Sequence, residues 1–187
     1  MNKYEITNEV HPQNRNLRRI RALRDIRKHG VRAGDLGGYI QSEKNLSQEG
    51  DAWVCDVACV FEDARVFEDA WVFEDASVFG DASIYGDASV FGAALVFGAA
   101  LVYGDARVSD VAEVSCNARV SGDAEVSGNA RVRGNAHVFG NASVSGDARV
   151  HGDAQVSGNA SVSEEAWVHG DASVSGNAEV SGNEHVF

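Results

Sequence analysis

His151 and His169 stand eighteen residues apart in a chain with a six-residue rhythm, and imidazoles at matching positions could supply a general base for acyl transfer. Such a base also needs a group that orients the ring and a pocket that holds the substrate. Arg133 precedes them at the same spacing, His137 falls at a different position, and no insertion interrupts the repeats to make a pocket. Solvated side chains are the plainer reading, and no catalytic residue is assigned. Two stacked histidines are too few ligands for a metal. Cys55, Cys59 and Cys116 form neither an even disulfide set nor a spaced pattern with histidine, so the expectation is three reduced thiols, no metal site and no cofactor.

Carboxylates recur at the same interval. Asp51, Asp69, Asp87, Asp105 and Asp123 are each eighteen residues apart, with Glu62, Glu68 and Glu74 nearby. Such a column could mimic a nucleic-acid backbone and fill a basic groove, or hold calcium if several oxygens converge. It could also be a row of solvated turn residues, since Asn takes the same position later in the chain.

Aromatic residues form a third set. Phe61, Phe67, Phe73, Phe79, Tyr85, Phe91, Phe97 and Tyr103 occupy one position in eight consecutive units, after which that position is mostly Ser. Sorted at eighteen-residue intervals they fall into Phe61/Phe79/Phe97, Phe67/Tyr85/Tyr103 and Phe73/Phe91. Trp53 and Trp71 share one side, and Leu95 and Leu101 project from neighbouring sides. The segment 92–103, GAALVFGAALVY, replaces the usual Asp by Ala93 and Ala99 where apolar residues are densest, which lowers the cost of desolvation there. An interface centred near residues 90–103 is therefore expected, formed by Trp53, Trp71, Phe79, Tyr85, Phe91, Leu95, Phe97, Leu101 and Tyr103. Mutual packing of the rings to shield the edges is the structural alternative.

The elements that position these residues follow from the repeat itself. From Gly50 to Phe187 a unit of the form G-[DN]-A-x-V-[FS] recurs twenty-three times without insertion or deletion. A fixed short period marks stacked supersecondary units. Ala and Val two residues apart share one face of a strand and point inward, the residue between them points outward, and Gly with Asp or Asn turns the chain. Three such sides make a triangular coil of 18 residues. General crossover preferences favour a right-handed connection.

The Val54/Ala58 and Val60/Ala64 spacing resembles the hexapeptide repeats of left-handed parallel β-helix proteins. RRIRALRDI at 18–26, VRAGDLGGYI at 31–40 and NLSQEGDAWV at 45–54 resemble the start of YdcK-type repeat proteins, which are common in enterobacteria and prophages. The resemblance implies an all-β fold: a single-stranded left-handed parallel β-helix with a small N-terminal β cap. It also implies phage or prophage origin, and for some relatives an acyltransferase label that rests on the shared repeat.

Residues 1–49 are read as the cap and first partial coil, and 50–187 as the β-helix. In the cap, strands are expected near 3–7 and 17–24, with a helical stripe through Leu17, Ile20, Leu23 and Ile26 as the alternative. Gly34, Gly37 and Gly38 are expected to mark tight turns. The far end has no comparable cap, which suits end-to-end docking of copies, or Glu184 in the usual Ala position disfavours further stacking. A repeated Ser-Val-Ser at 143–145 and 161–163 hints at ice binding, but Thr7 is the chain's one threonine and the pattern soon breaks.

Charge narrows the partners. The net charge is -12, with ten Lys and Arg against six Asp and Glu in residues 1–49, and six against twenty-two thereafter. An acidic rod repels nucleic acid and anionic membranes and prefers basic protein surfaces, so the expected partners are a second copy, through the apolar surface near 90–103, or a basic protein. No stretch approaches the roughly 20 apolar residues of a membrane span, and the N-terminus lacks an apolar export segment. The sequence therefore reads as a cytoplasmic, non-enzymatic scaffold or interaction module that forms homo-oligomers. An acidic inhibitor of a host protein is the alternative, and an acyl-CoA-dependent acyltransferase the second alternative.

Overall fold

The computed structural model describes residues 2–187. Every hexapeptide forms a two-residue strand and a corner, and strand i pairs in parallel with the strand eighteen residues on, as Leu95 with Glu113 and Val96 with Val114. Pairing at that interval closes a three-sided β-solenoid of about eight coils, with sheets of eleven, eight and seven strands as its faces. Face one carries the outward residues Cys59, Ser77, Leu95, Glu113, Arg131 and onward, face two Arg65, Ser83, Leu101 and Arg119, and face three Trp53, Trp71, Ser89 and Arg107.

The interior is built from the two invariant columns. Ala52 through Ala172 and Val54 through Val180, with Ile84 in the Val column, are buried almost completely. The small Ala side chains let the three sheets converge, and the Val side chains fill the remaining space. Outward main-chain groups bond to the next coil, as Trp53 N–H to Ala70 O at 2.9 Å and Leu95 N–H to Ala112 O at 2.9 Å. Each coil thereby supplies the hydrogen-bond partners of its neighbour.

The first 50 residues extend face one and close its end. Strands β1 (Tyr4–Val10), β2 (Arg18–Ala22) and β3 (Leu36–Ile40) are antiparallel to one another, and β3 then runs parallel to Cys59–Val60. Residues 17–26 are thus extended, not helical, and bury Leu17, Ile20, Ala22 and Ile26 while leaving Leu23 exposed. Gly34 has φ +99 and does turn the chain, whereas Gly37 and Gly38 lie inside β3. Close approach explains those two glycines. A Cβ on Gly37 would sit 2.6 Å from Ile20 Cγ1 and 2.7 Å from Trp53 Cζ2, and one on Gly38 would sit 2.6 Å from Ala58 O.

Polar groups of this segment bond to main-chain carbonyls of the first coils. Tyr4 Oη donates to Leu46 O at 2.7 Å, Asn45 Nδ2 to Ala64 O at 2.9 Å, and the buried Lys3 Nζ to Ala52 O at 2.8 Å. Burial first, and then Arg24, push the Lys3 ammonium down to about 8, against the pull of Asp51 and Asp69. Between pH 8 and 10 the unfolded chain holds a Lys3 proton that the folded chain has released, so Lys3 alone should make stability rise with pH by about 1–3 kcal/mol, while the Cys59 thiol, pushed up to about 11 by burial, opposes that rise from about pH 9. Above pH 10 the trend should reverse, because burial and Glu43 raise the Tyr4 phenol and the folded chain then keeps the proton. Thermal midpoints from pH 7 to 11 check this: Lys3→Met should flatten the rising limb and leave the fall.

Candidate interaction surface

The aromatic residues form three ladders. Phe61–Phe79–Phe97 stack with centroids 5.1 and 4.9 Å apart, Phe67–Tyr85–Tyr103 at 4.9 and 5.0 Å, and Phe73–Phe91 at 4.9 Å. Parallel strands in register bring identical positions to about 4.8 Å, which is why ring stacks on ring with interplanar angles below 10°. All of these rings are half-buried, because each covers its neighbour. Each ladder ends on a serine, Ser109, Ser115 or Ser121, and all three are buried.

Pairing registers divide the expected surface among the faces. Phe79, Leu95 and Phe97 lie on face one, Tyr85, Leu101 and Tyr103 on face two, and Trp71 and Phe91 on face three. Trp53 must be removed from that surface. Its side chain is completely buried, 6.4 Å edge-on from Tyr4 and beneath Gly37, so the N-terminal segment occupies the space in front of it. Trp71 is partly covered in the same way, stacked 5.0 Å from His29. Neither indole N–H finds a hydrogen-bond partner.

Face one differs from the others in composition. In the rod upstream of Phe187, the exposed large apolar side chains are Val57 at 46%, Leu95 at 37% and Val111 at 53%, and all three line it. Below them follow Glu113, Arg131, Arg149 and Trp167, with the Arg149 guanidinium 4.7 Å over the Trp167 ring. A shallow groove of about 370 Å³ runs between Leu95, Val111, Glu113, Arg131 and Arg149.

The acidic column is only partly free. Arg24 pairs with Asp51 at 3.3 Å, and Lys28 pairs with Asp69 at 3.1 Å and with Asp87. Two cations of the N-terminal segment therefore engage three of the five carboxylates, and Asp105 and Asp123 remain exposed without an ion pair among the described residues. Asp69 is held below the usual carboxylate range by the Asp51 N–H first, and then by Lys28. Farther along, the column continues as a side-chain ladder, Asn141 to Asn159 to Asn177, each bond 3.0 Å.

Glu62, Glu68 and Glu74 have a structural task. They occupy left-handed corners with φ 57–59, and each accepts the N–H of a glycine one coil on, Gly80, Gly86 or Gly92, at 2.8 Å. Left-handed backbone costs a side-chain-bearing residue about 1–2 kcal/mol, which the charge-assisted bond offsets. Glu68→Gly should therefore change stability by less than about 1 kcal/mol, while Glu68→Ala, which keeps the strain and loses the bond, should cost about 1–2 kcal/mol in denaturant titration.

The histidines singled out by their spacing lie on a corner and on face two. His151 and His169 stack at 5.2 Å, and burial first, then Arg133, lower the His151 pKa. His137 Nε2 lies 3.0 Å from Ser121 Oγ, a pairing across sixteen residues that spacing alone did not suggest. No carboxylate among the described residues hydrogen-bonds His137 to complete a relay. The three cysteines are free thiols, and burial pushes Cys59 up to about 11 and raises Cys55, so neither is an activated nucleophile. Among the described residues no group of three or more His, Cys, Asp or Glu is placed to hold a metal ion, and no helix is long and apolar enough to cross a membrane.

Coils of this kind place the protein among the β-solenoids. Residues 154–170, about one full coil, match the family model of the YdcK beta solenoid repeat. No functionally curated protein matches the chain.

Proposed function

We propose that this protein is a non-enzymatic scaffold that works through protein–protein contact, with a second copy of itself as its partner. One observation carries the reading: upstream of Phe187 the exposed large apolar side chains of the rod all belong to face one, Leu95 on the face itself and Val57 and Val111 on the corner that leads into it. Isolated apolar residues on a surface need no explanation, but Leu95 and Val111 share one groove, and Leu95 stands between it and the half-buried ring of Phe97, so association there would remove apolar area from water. Uninterrupted coils favour the same reading, since a regular prism offers flat faces and shallow grooves instead of an enclosed substrate pocket. The acidic-mimic reading has less support, because Arg24 and Lys28 already occupy Asp51, Asp69 and Asp87. The test is the concentration dependence of the molecular mass, with and without charges placed at Leu95 and Phe97.

A further inference from the structure

Face one carries an order of residues that complements itself when reversed. Along its centre run Cys59, Ser77, Leu95, Glu113, Arg131, Arg149, Trp167 and His185, each one coil from the next. The ladder beside it reads Phe61, Phe79, Phe97, Ser115, Arg133, His151, His169 and Phe187. In the central column Glu113 lies on one side of the Glu113/Arg131 boundary and Arg131, Arg149 and the large Trp167 lie on the other, while Asp75 on the first side and Asp147 and Glu165 on the second edge the face at its corner. None of Arg131, Arg133 or Arg149 has an ion-pair partner among the described residues.

Resting on the self-association proposed above, we infer that two copies pack face one against face one as an antiparallel dimer. Its two-fold axis passes between Glu113 and Arg131. A two-fold lying across the rod keeps each column opposite itself and reverses its order. Glu113 then meets Arg131 of the second copy, twice. Leu95 lies along the stem of Arg149, the small Ser77 faces the large Trp167, and Phe97 and Phe79 face His151 and His169. On the corner column at the edge of the contact Val111 meets Asn129 and Val57 meets Asn183, and Asp75 meets Glu165 as a like-charged pair at the rim, so Leu95, Phe97 and Phe79 are the apolar groups that the dimer covers.

Other arrangements fit less well. Parallel packing of the same face would set Glu113 on Glu113, Arg131 on Arg131 and Arg149 on Arg149. Face three also alternates Arg107 with Glu125, but it lacks exposed large apolar groups; the N-terminal segment overhangs both faces at that end, face three with His29 at Trp71 and face one with His11–Gln13 beside Val57 and Ser77. Cys59 is buried against Leu17 and Tyr39, so the open face runs five coil steps from Ser77 to Trp167, which at about 4.8 Å by roughly 15 Å of width come to about 360 Å² per copy, or about 720 Å² in total, the size of a weak, transient dimer.

A charge-reversal cycle read by sedimentation equilibrium tests this dimer, with circular dichroism confirming that each variant is folded. Glu113→Arg and Arg131→Glu should each raise the dimer dissociation constant at least about tenfold, and the double variant should return it to within about threefold of wild type. Suppose the double variant gives no recovery while Leu95→Lys/Phe97→Lys still dissociates the assembly: the antiparallel register is then overturned and the apolar surface stands. A wild-type chain that stays monomeric at every concentration overturns both.

Discussion

Leu95→Lys/Phe97→Lys should convert the protein from a self-associating species to a monomer, raising the dissociation constant by about 100-fold or more. Leu95 is more than one-third exposed at the middle of face one, and Phe97 is the end ring of its ladder, 4.9 Å from Phe79. Buried apolar anchors at the centre of an interface commonly contribute 2 kcal/mol or more each, and a two-fold axis counts each of them twice. A lysine at either position would also place a desolvated charge near Arg149 or His151 of the second copy. The fold should be untouched, because Val96 and Ala94, not Leu95 and Phe97, fill the interior.

Gly38→Ala should act on the other end of the molecule and lower stability by about 3 kcal/mol. The added methyl would lie 2.6 Å from Ala58 O, 2.7 Å from Val54 Cγ1 and 2.9 Å from Cys55 O, and two of those three atoms are main chain of the first coils. Main chain tied into parallel ladders cannot move aside, so β3 would lift from Cys59–Val60. Lifting it would uncover Trp53 and detach the anchors made by Lys3 and Tyr4. The expected result is a lower denaturant midpoint with an early change in tryptophan fluorescence, while the coils beyond the first two keep their circular dichroism signal. A single unshifted transition would mean that β3 does not depend on this close approach.

The repeat was readable because its structure is local: Ala and Val two residues apart decide which way a two-residue strand faces, and a spacing of six residues decides where the next begins. The aromatic ladders followed from the same arithmetic. Most of what escaped depends on the N-terminal segment, whose contacts with the rod are not fixed by the repeat spacing, as with Arg24 to Asp51 across 27 residues and Lys28 to Asp87 across 59. Trp53 looks outward by its position in the repeat, yet it is buried by Tyr4, forty-nine residues earlier. Asp51, Asp69 and Asp87 look free by their spacing, yet Arg24 and Lys28 reach them once that segment docks. Gly37 and Gly38 suggested turns because glycine allows them, while the reason for each is a neighbour a Cβ would strike. Ser121 and His137 meet because strand pairing brings adjacent coils together, a closeness visible only when positions are compared across columns.

Self-association through face one is the central claim, and sedimentation equilibrium of the wild-type chain over a hundredfold range of concentration tests it most directly. The account predicts a mass that rises from one chain toward two as concentration increases, and one that stays at a single chain for Leu95→Lys/Phe97→Lys. A wild-type mass of one chain across the whole range, matching the variant, would contradict it.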